Sequence, residues 1–370
     1  MKHLQKLILI IICLMIFACQ TKFVSQVFAE ETVFAEELMT FLNELLPSNR
    51  TAGSEGETQS AFLLGEQLIS RGITTKYEQI FNVNGAQTSK NVIGILPSVV
   101  QSSNIVIFGA HYDNIYSENS NGYGDNLSGV CSLLRTIDKL SGKNFEFNAW
   151  FVLFGAEEIG CLGSQHFASL LTNEEKENIF LFINFDSVGM GQSLFYSNGG
   201  SEPSYMNHIK RVNTDLNDAF ELYSPNLSYP DNSSQTIGTL VFNSDMTALL
   251  NHCVNSVTFF AGTKTGFFED WKENDDSNRI AHINDTKLTN ETIFGDVFYS
   301  NIEKASEFAE KVVLSTDFLS YSLPNQTPTI LYNSWALKGI CVLIFLFCMV
   351  SGFWYLSKKN KLENNNPSYQ

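Results

Sequence analysis

Basic residues are scarce in this chain of 370. There are 23 lysines and arginines against 39 aspartates and glutamates, a formal net charge of −16. That shortage argues against a nucleic-acid partner, which is held by a basic face. It identifies no substrate, although an acidic surface suits a soluble extracellular domain. Cysteine is sparse too. Of seven, Cys13 and Cys19 lie in an apolar N-terminal run, and Cys341 and Cys348 in an apolar C-terminal one. Cys131, Cys161 and Cys253 remain, too few and odd in number for a disulfide scaffold. No spacing among them suits a zinc knuckle, and they read as small buried hydrophobes. No His-Glu-x-x-His is present, so the thermolysin-type zinc helix is excluded. No Gly-x-Ser-x-Gly elbow is present, which argues against a serine hydrolase of that kind. Between the apolar ends there is no long linker, repeat or low-complexity tract.

What is present reads as a globular α/β chain, with 44% hydrophobic and 17% charged residues. Nearly continuous apolar runs predict strands at 91–96, 105–109, 149–154, 180–185 and 256–260, buried on both faces. Helical spacing predicts helices at 57–71, 128–140, 161–171, 205–216 and a long closing one at 292–314. The alternation implies a three-layer α/β/α fold around a mixed, mostly parallel sheet. The polar stretch 187–243 reads as loops over the site. Lys2, His3 and Lys6 precede an apolar run of signal-peptide proportions, predicted to be cleaved after Ala29. Cys19 offers a lipoprotein reading instead, with bulky Phe17 against it. Residues 336–356 are almost purely apolar, flanked by Trp335 and followed by Lys358, Lys359 and Lys361. They are long enough to span a bilayer, with the basic tail, 357–370, in the cytoplasm. The expected order is a leader (1–29), one catalytic domain outside the cell (30–321), a linker (322–335) and a single membrane span.

Acids or a histidine stand where the predicted strands end. His111 and Asp113 follow the 105–109 strand two residues apart, so both side chains point the same way. A histidine binds zinc well when a carboxylate holds its other nitrogen. The plain alternative is a structural histidine near a surface acid. Asp125, in Gly124-Asp125-Asn126, reads either as a helix cap or as a carboxylate bridging two metals. Glu157 and Glu158, between Gly155 and Gly160, suit a solvated helix start or two jobs at a metal, ligand and general base. Asp186 ends an apolar strand, where a buried acid needs a partner. His282 lies in a polar loop. His166 and His208 read as helix-surface residues and His252 as a helix end, none with a role. Together His111, Asp125, Glu158, Asp186 and His282 supply enough ligands for two zinc ions, with Glu157 left over as base.

These pieces also carry a resemblance. They are Asn49-Arg50-Thr51-Ala52-Gly53-Ser54, Ala110-His111-Tyr112-Asp113, Gly124-Asp125-Asn126-Leu127-Ser128-Gly129, Glu157-Glu158, Asn184-Phe185-Asp186 and His282-Ile283-Asn284-Asp285-Thr286. In that order they resemble the co-catalytic di-zinc exopeptidases of metallopeptidase family twenty-eight, the bacterial leucyl-aminopeptidase type. The resemblance implies His111 and Asp186 on one zinc, Glu158 and His282 on the other, and Asp125 bridging. It implies Glu157 as general base, Asp113 orienting His111, and a cis peptide between Asp125 and Asn126. Ser244-Asp245-Met246 departs from the family's Ser-Asp-His, and Cys161 and Leu162 depart as a packing change. The expected activity is removal of N-terminal residues from peptides through a water bound by both metals. Three rivals share the scaffold: a glutaminyl cyclase-like acyltransferase with one zinc, a carboxypeptidase, and a non-catalytic surface receptor. The retained His111, the absence of an arginine cluster and the full ligand set argue against each in turn.

Overall fold

Runs of Val, Ile, Leu and Phe lay down the middle of a single sheet. The computed structural model describes residues 32–197, 204–216, 219–222, 244–262, 284–315 and 318. The chain divides into two compact units, Met1–Leu323 and Pro324–Gln370, and every described residue belongs to the first. The strands are β1 (Thr74–Val83), β2 (Gln87–Leu96), β3 (Ile105–His111), β4 (Asn148–Phe154), β5 (Ile179–Phe185), β6 (Ser193–Ser197), β7 (Phe220–Leu222) and β8 (Ser256–Gly262). Their order is β1-β2-β4-β3-β5-β8-β6-β7. The central pairs β4/β3, β3/β5 and β5/β8 are parallel, as is β6/β7. The pairs β1/β2, β2/β4 and β6/β8 are antiparallel.

The helices are α1 (32–45), α2 (Glu55–Ser70), α3 (Leu127–Leu140), α4 (Leu162–Leu170), α5 (Asn173–Asn178), α6 (Ser204–Asp215), α7 (Asp245–Asn251), α8 (Lys287–Phe294) and α9 (Asp296–Leu314). Side chains alternate across β3. Val106, Phe108 and Ala110 enter one core with Leu134 of α3 and Ile302 of α9. Ile105 and Ile107 enter a second core with Phe167 of α4 and Leu249 of α7. Helices therefore cover both faces, the three-layer α/β/α arrangement expected. Each fully buried Leu, Ile or Phe contributes roughly 1.5–3 kcal/mol, so these two cores hold the strand ends in place.

Several expectations change. The closing helix is two, α8 and α9, because Gly295 between them adopts φ 55°. The polar stretch after Ser187 contains β6, α6 and β7, rather than loops alone. The strand β1 gives no continuous apolar run, because among the described residues only one edge of it pairs and most of its side chains stay partly exposed. His208 is buried rather than on the helix surface, its Nε2 2.8 Å from the Val312 carbonyl. Cys253 is exposed, while Cys131 and Cys161 are buried. Among the described residues no helix is long and apolar enough to cross a membrane. The leader 1–29, the linker and the span 336–356 lie outside the described residues.

Candidate metal centre

Three neighbouring parallel strands, β4, β3 and β5, end at one edge of the sheet, where open α/β sheets build their ligand sites. His111 is the last residue of β3. Glu157 and Glu158 follow β4, and Asp186 follows β5. The turns there are tight: Ala156 (φ 53°) and Ser187 (φ 52°) both occupy the left-handed region, which is rare for residues with a Cβ and costs about 1–3 kcal/mol.

Asp125 arrives on the loop before α3, and the Asp-Asn pair divides its labour. Asn126 is the helix cap: its Oδ1 accepts from Gly129 N at 2.9 Å. The same oxygen accepts from Ser187 N at 3.0 Å, and Nδ2 donates to the Phe185 carbonyl at 2.9 Å. Asp125 is thereby left to face His111. The peptide bond between Asp125 and Asn126 is cis, as the family resemblance implies. Asp285 fixes the loop from behind. Its two oxygens accept from Gly124 N (2.7 Å) and Asp125 N (2.8 Å).

His111 Nε2 lies 3.2 Å from Asp125 Oδ1 and 3.7 Å from Asp186 Oδ1. Its Nδ1 faces Asp113, 3.3 Å from the carbonyl and 3.7 Å from the carboxylate. His111, Asp125 and Asp186 each offer one ligand atom, all within 4.8 Å of one another, the single such group among the described residues. The Asp113 carboxylate makes shorter contacts elsewhere, accepting from Glu157 N (3.0 Å) and Glu158 N (3.1 Å). It holds the Glu-Glu turn as well as facing His111. Glu158 lies outside the tight group but close enough for Asp125 and His111 to act on its charge. Its Oε1 is buried and has no hydrogen-bond partner among the described residues. His282 lies outside the described residues.

The cluster is electrostatically crowded. Burial raises the pKa values of Glu157 and Glu158 well above the usual carboxylate range. Around Glu157 the charges of Asp245, Asp186 and Asp113 add to that, and His111 opposes it. Burial opposes a charged His111, but Glu157, Asp113, Asp125 and Asp186 surround it and the balance raises its pKa. Burial also lifts Asp245 and Asp285 to about 7.

Four participants were given no role by the sequence, although Ser244, Asp245 and Asp285 lie within stretches it singled out. Ser244 Oγ donates to Asp186 Oδ2 at 2.7 Å and accepts from Asn184 Nδ2 at 2.7 Å, fixing that carboxylate from 58 residues away. Asp245, fully buried, adds a negative charge beside Glu157. Asp285 and Glu57 act on backbone amides of the site loops. Cys161 is more than a packing change, since its Sγ lies 3.3 Å from Glu157 Oε1.

The sequence model of peptidase family M28 matches residues 91–294, more than half of the chain. Aminopeptidase YwaD of Bacillus subtilis is 38% identical over 104 residues, 28% of this chain and 22% of that protein. The chain spans about a fifth to a third of the length of such curated relatives. In solved structures the fold is similar to BSAP, a zinc aminopeptidase from Bacillus subtilis. There the TM-score is 0.54 at 17% identity, covering 73% of this chain and 94% of that one. It is also similar to Porphyromonas gingivalis glutaminyl cyclase, with TM-score 0.56 at 15% identity, covering 75% and 98%.

Proposed function

Because the chain belongs to peptidase family M28, we propose that the cluster at the ends of β3, β4 and β5 is the zinc centre of an aminopeptidase. One observation carries the reading: His111 Nε2 and the Asp125 and Asp186 oxygens converge on one point. Among the described residues, the Nδ1 side of His111 faces acceptors on Asp113. A hydrogen on Nδ1 leaves the Nε2 lone pair pointed at two carboxylates, an arrangement that a cation relieves. The residues present therefore fit a metal. His111, Asp125 and Asp186 would hold one zinc; Asp125, Glu158 and His282 would hold a second. Zinc, when bound, would polarise the peptide carbonyl and lower the pKa of a water molecule.

The chain's own groups supply the rest. Glu157 would accept the proton of the attacking water and pass it to the departing amine, a task suited to a carboxylate of raised pKa. Asp113 keeps Glu157 and Glu158 in register through their amides. Ser244 holds Asp186 in one orientation. Peptides with a free N-terminus are the proposed substrates. The apolar segment 336–356, followed by Lys358, Lys359 and Lys361, supports a single membrane span with the catalytic domain outside the cell.

The test uses amino-acyl fluorogenic substrates and metal analysis. Activity should disappear with a chelator and return with zinc, and two zinc ions per chain should be found. Glu157→Gln should bind zinc normally and lose turnover by about 10²-fold or more. An active Glu157→Gln protein, or activity indifferent to chelation, would overturn the assignment. The likeness in fold to a glutaminyl cyclase supports a second reading. One zinc per chain, with cyclisation of an N-terminal glutaminyl peptide and no peptide cleavage, would favour it instead.

A further inference from the structure

Glu57, in the first turn of α2, has no place in the scheme above, yet it is fully buried. Its carboxylate takes three hydrogen bonds from three separate parts of the chain. Oε2 accepts from Gly53 N at 2.6 Å. Oε1 accepts from Ser89 Oγ of β2 at 2.5 Å and from Ala156 N at 2.9 Å. Ala156 is the left-handed residue directly before Glu157. On the other side of that turn Asp113 takes the amides of Glu157 and Glu158. Three successive backbone N–H groups, of Ala156, Glu157 and Glu158, thus end on carboxylates from outside the turn. Glycine at 155 makes the approach feasible, because a Cβ there would collide with Ser89 Oγ and come within 2.9 Å of Glu57 Oε1.

A buried carboxylate is costly, and packing α2 against β2 does not call for one, since Ala61, Leu64 and Leu68 already do that. We propose that Glu57 is a positioning residue, which holds the Ala156 turn so that Glu157 and Glu158 face the site. The inference rests on the reading of Glu157 as base and Glu158 as ligand. Glu57 touches neither substrate nor metal; it acts through the backbone it binds. Ser89 acts through Glu57 in turn, by orienting its carboxylate.

The test compares Glu57→Gln, Ser89→Ala and the double variant of the full chain, with zinc content, thermal melting, kcat and KM measured. Amide hydrogen exchange across 155–159 is followed separately. An amide at position 57 sets a donor against Ala156 N–H, which breaks that bond, or against Gly53 N–H, which pushes the side chain off and weakens the Ala156 bond, so the turn loosens while the fold remains. Glu57→Gln should exchange faster at 156–158. It should lose kcat roughly 10- to 100-fold, the cost of a small misplacement of a reacting group, with KM changed less than about twofold. Ser89→Ala should show a smaller loss of the same kind, and the double variant should be no worse than Glu57→Gln. Unchanged exchange at 156–158, a loss appearing in KM, or additive effects of the two substitutions would overturn the proposal. If Glu57→Gln fails to fold, Ser89→Ala alone decides by the same readouts. Faster exchange together with a fully active Glu157→Gln protein would leave the clamp standing and remove Glu157 as base.

Discussion

Glu57 is pulled in two directions. Burial, reinforced by the charge of Asp113, favours its neutral form; bonds from Ser89, Gly53 and Ala156 favour the carboxylate. Burial prevails, and the carboxyl rises to about 7 from an ordinary 4.5. The folded state therefore binds this proton more tightly than the unfolded chain does. Its contribution to stability is full below about pH 4.5 and is lost as pH rises through about 7. A shift of that size is worth at most about 3 kcal/mol. In metal-free protein, the melting temperature of Glu57→Gln relative to the native chain should climb between pH 5 and 8 and then level off. A difference that stays flat across that range would show that Glu57 keeps one charge state throughout.

Among the elements, the start of α3 matters most to the site, because Asn126 both caps it and ties it to the end of β5. The Asp125 loop and the Asp186 strand end are thereby tied to each other. Elsewhere a cap is only a cap: Thr172 closes an exposed capping box on α5. Thr172→Ala should cost about 1 kcal/mol, the ordinary value for losing an N-cap. Asn126→Ala loses a cap and also strands the Phe185 carbonyl and the Ser187 amide, so about 2–4 kcal/mol is expected. Urea unfolding of both variants checks this. Equal costs would mean that the link to β5 contributes nothing. The same pair shows why the Asp-Asn motif cannot be resolved from sequence. A cap and a ligand call for the same residue types, and only the packing of β5 against α3 decides which of the two neighbours turns inward.

For the molecule as a whole, legibility follows the range of the interaction. His111, Glu157, Glu158 and Asp186 are readable because each breaks off an apolar run at a strand end, and Asp125 because Gly124-Asp125-Asn126 offers a cap or a ligand just before a helix; each signal is contained in a few residues. Ser244 and Asp285 act over 58 and 160 residues, so their places depend on how the sheet is threaded. The edge strand β1 hides for another reason, since a strand half open to water need not be apolar. The proposed membrane segment rests on the most local signal of all, a run of apolar residues closed by three lysines. If residues 336–356 anchor the protein, a chain ending at Tyr321 should remain soluble after the membranes are sedimented. It should keep the full-length kcat/KM on small amino-acyl substrates. The full-length chain should sediment and be released by detergent but not by high salt, since burial of a span of about 20 apolar residues is insensitive to ionic screening. A truncated chain that still sediments would place the anchor at the other end, and Cys19→Ala, by removing the acceptor for a lipid, would then release it.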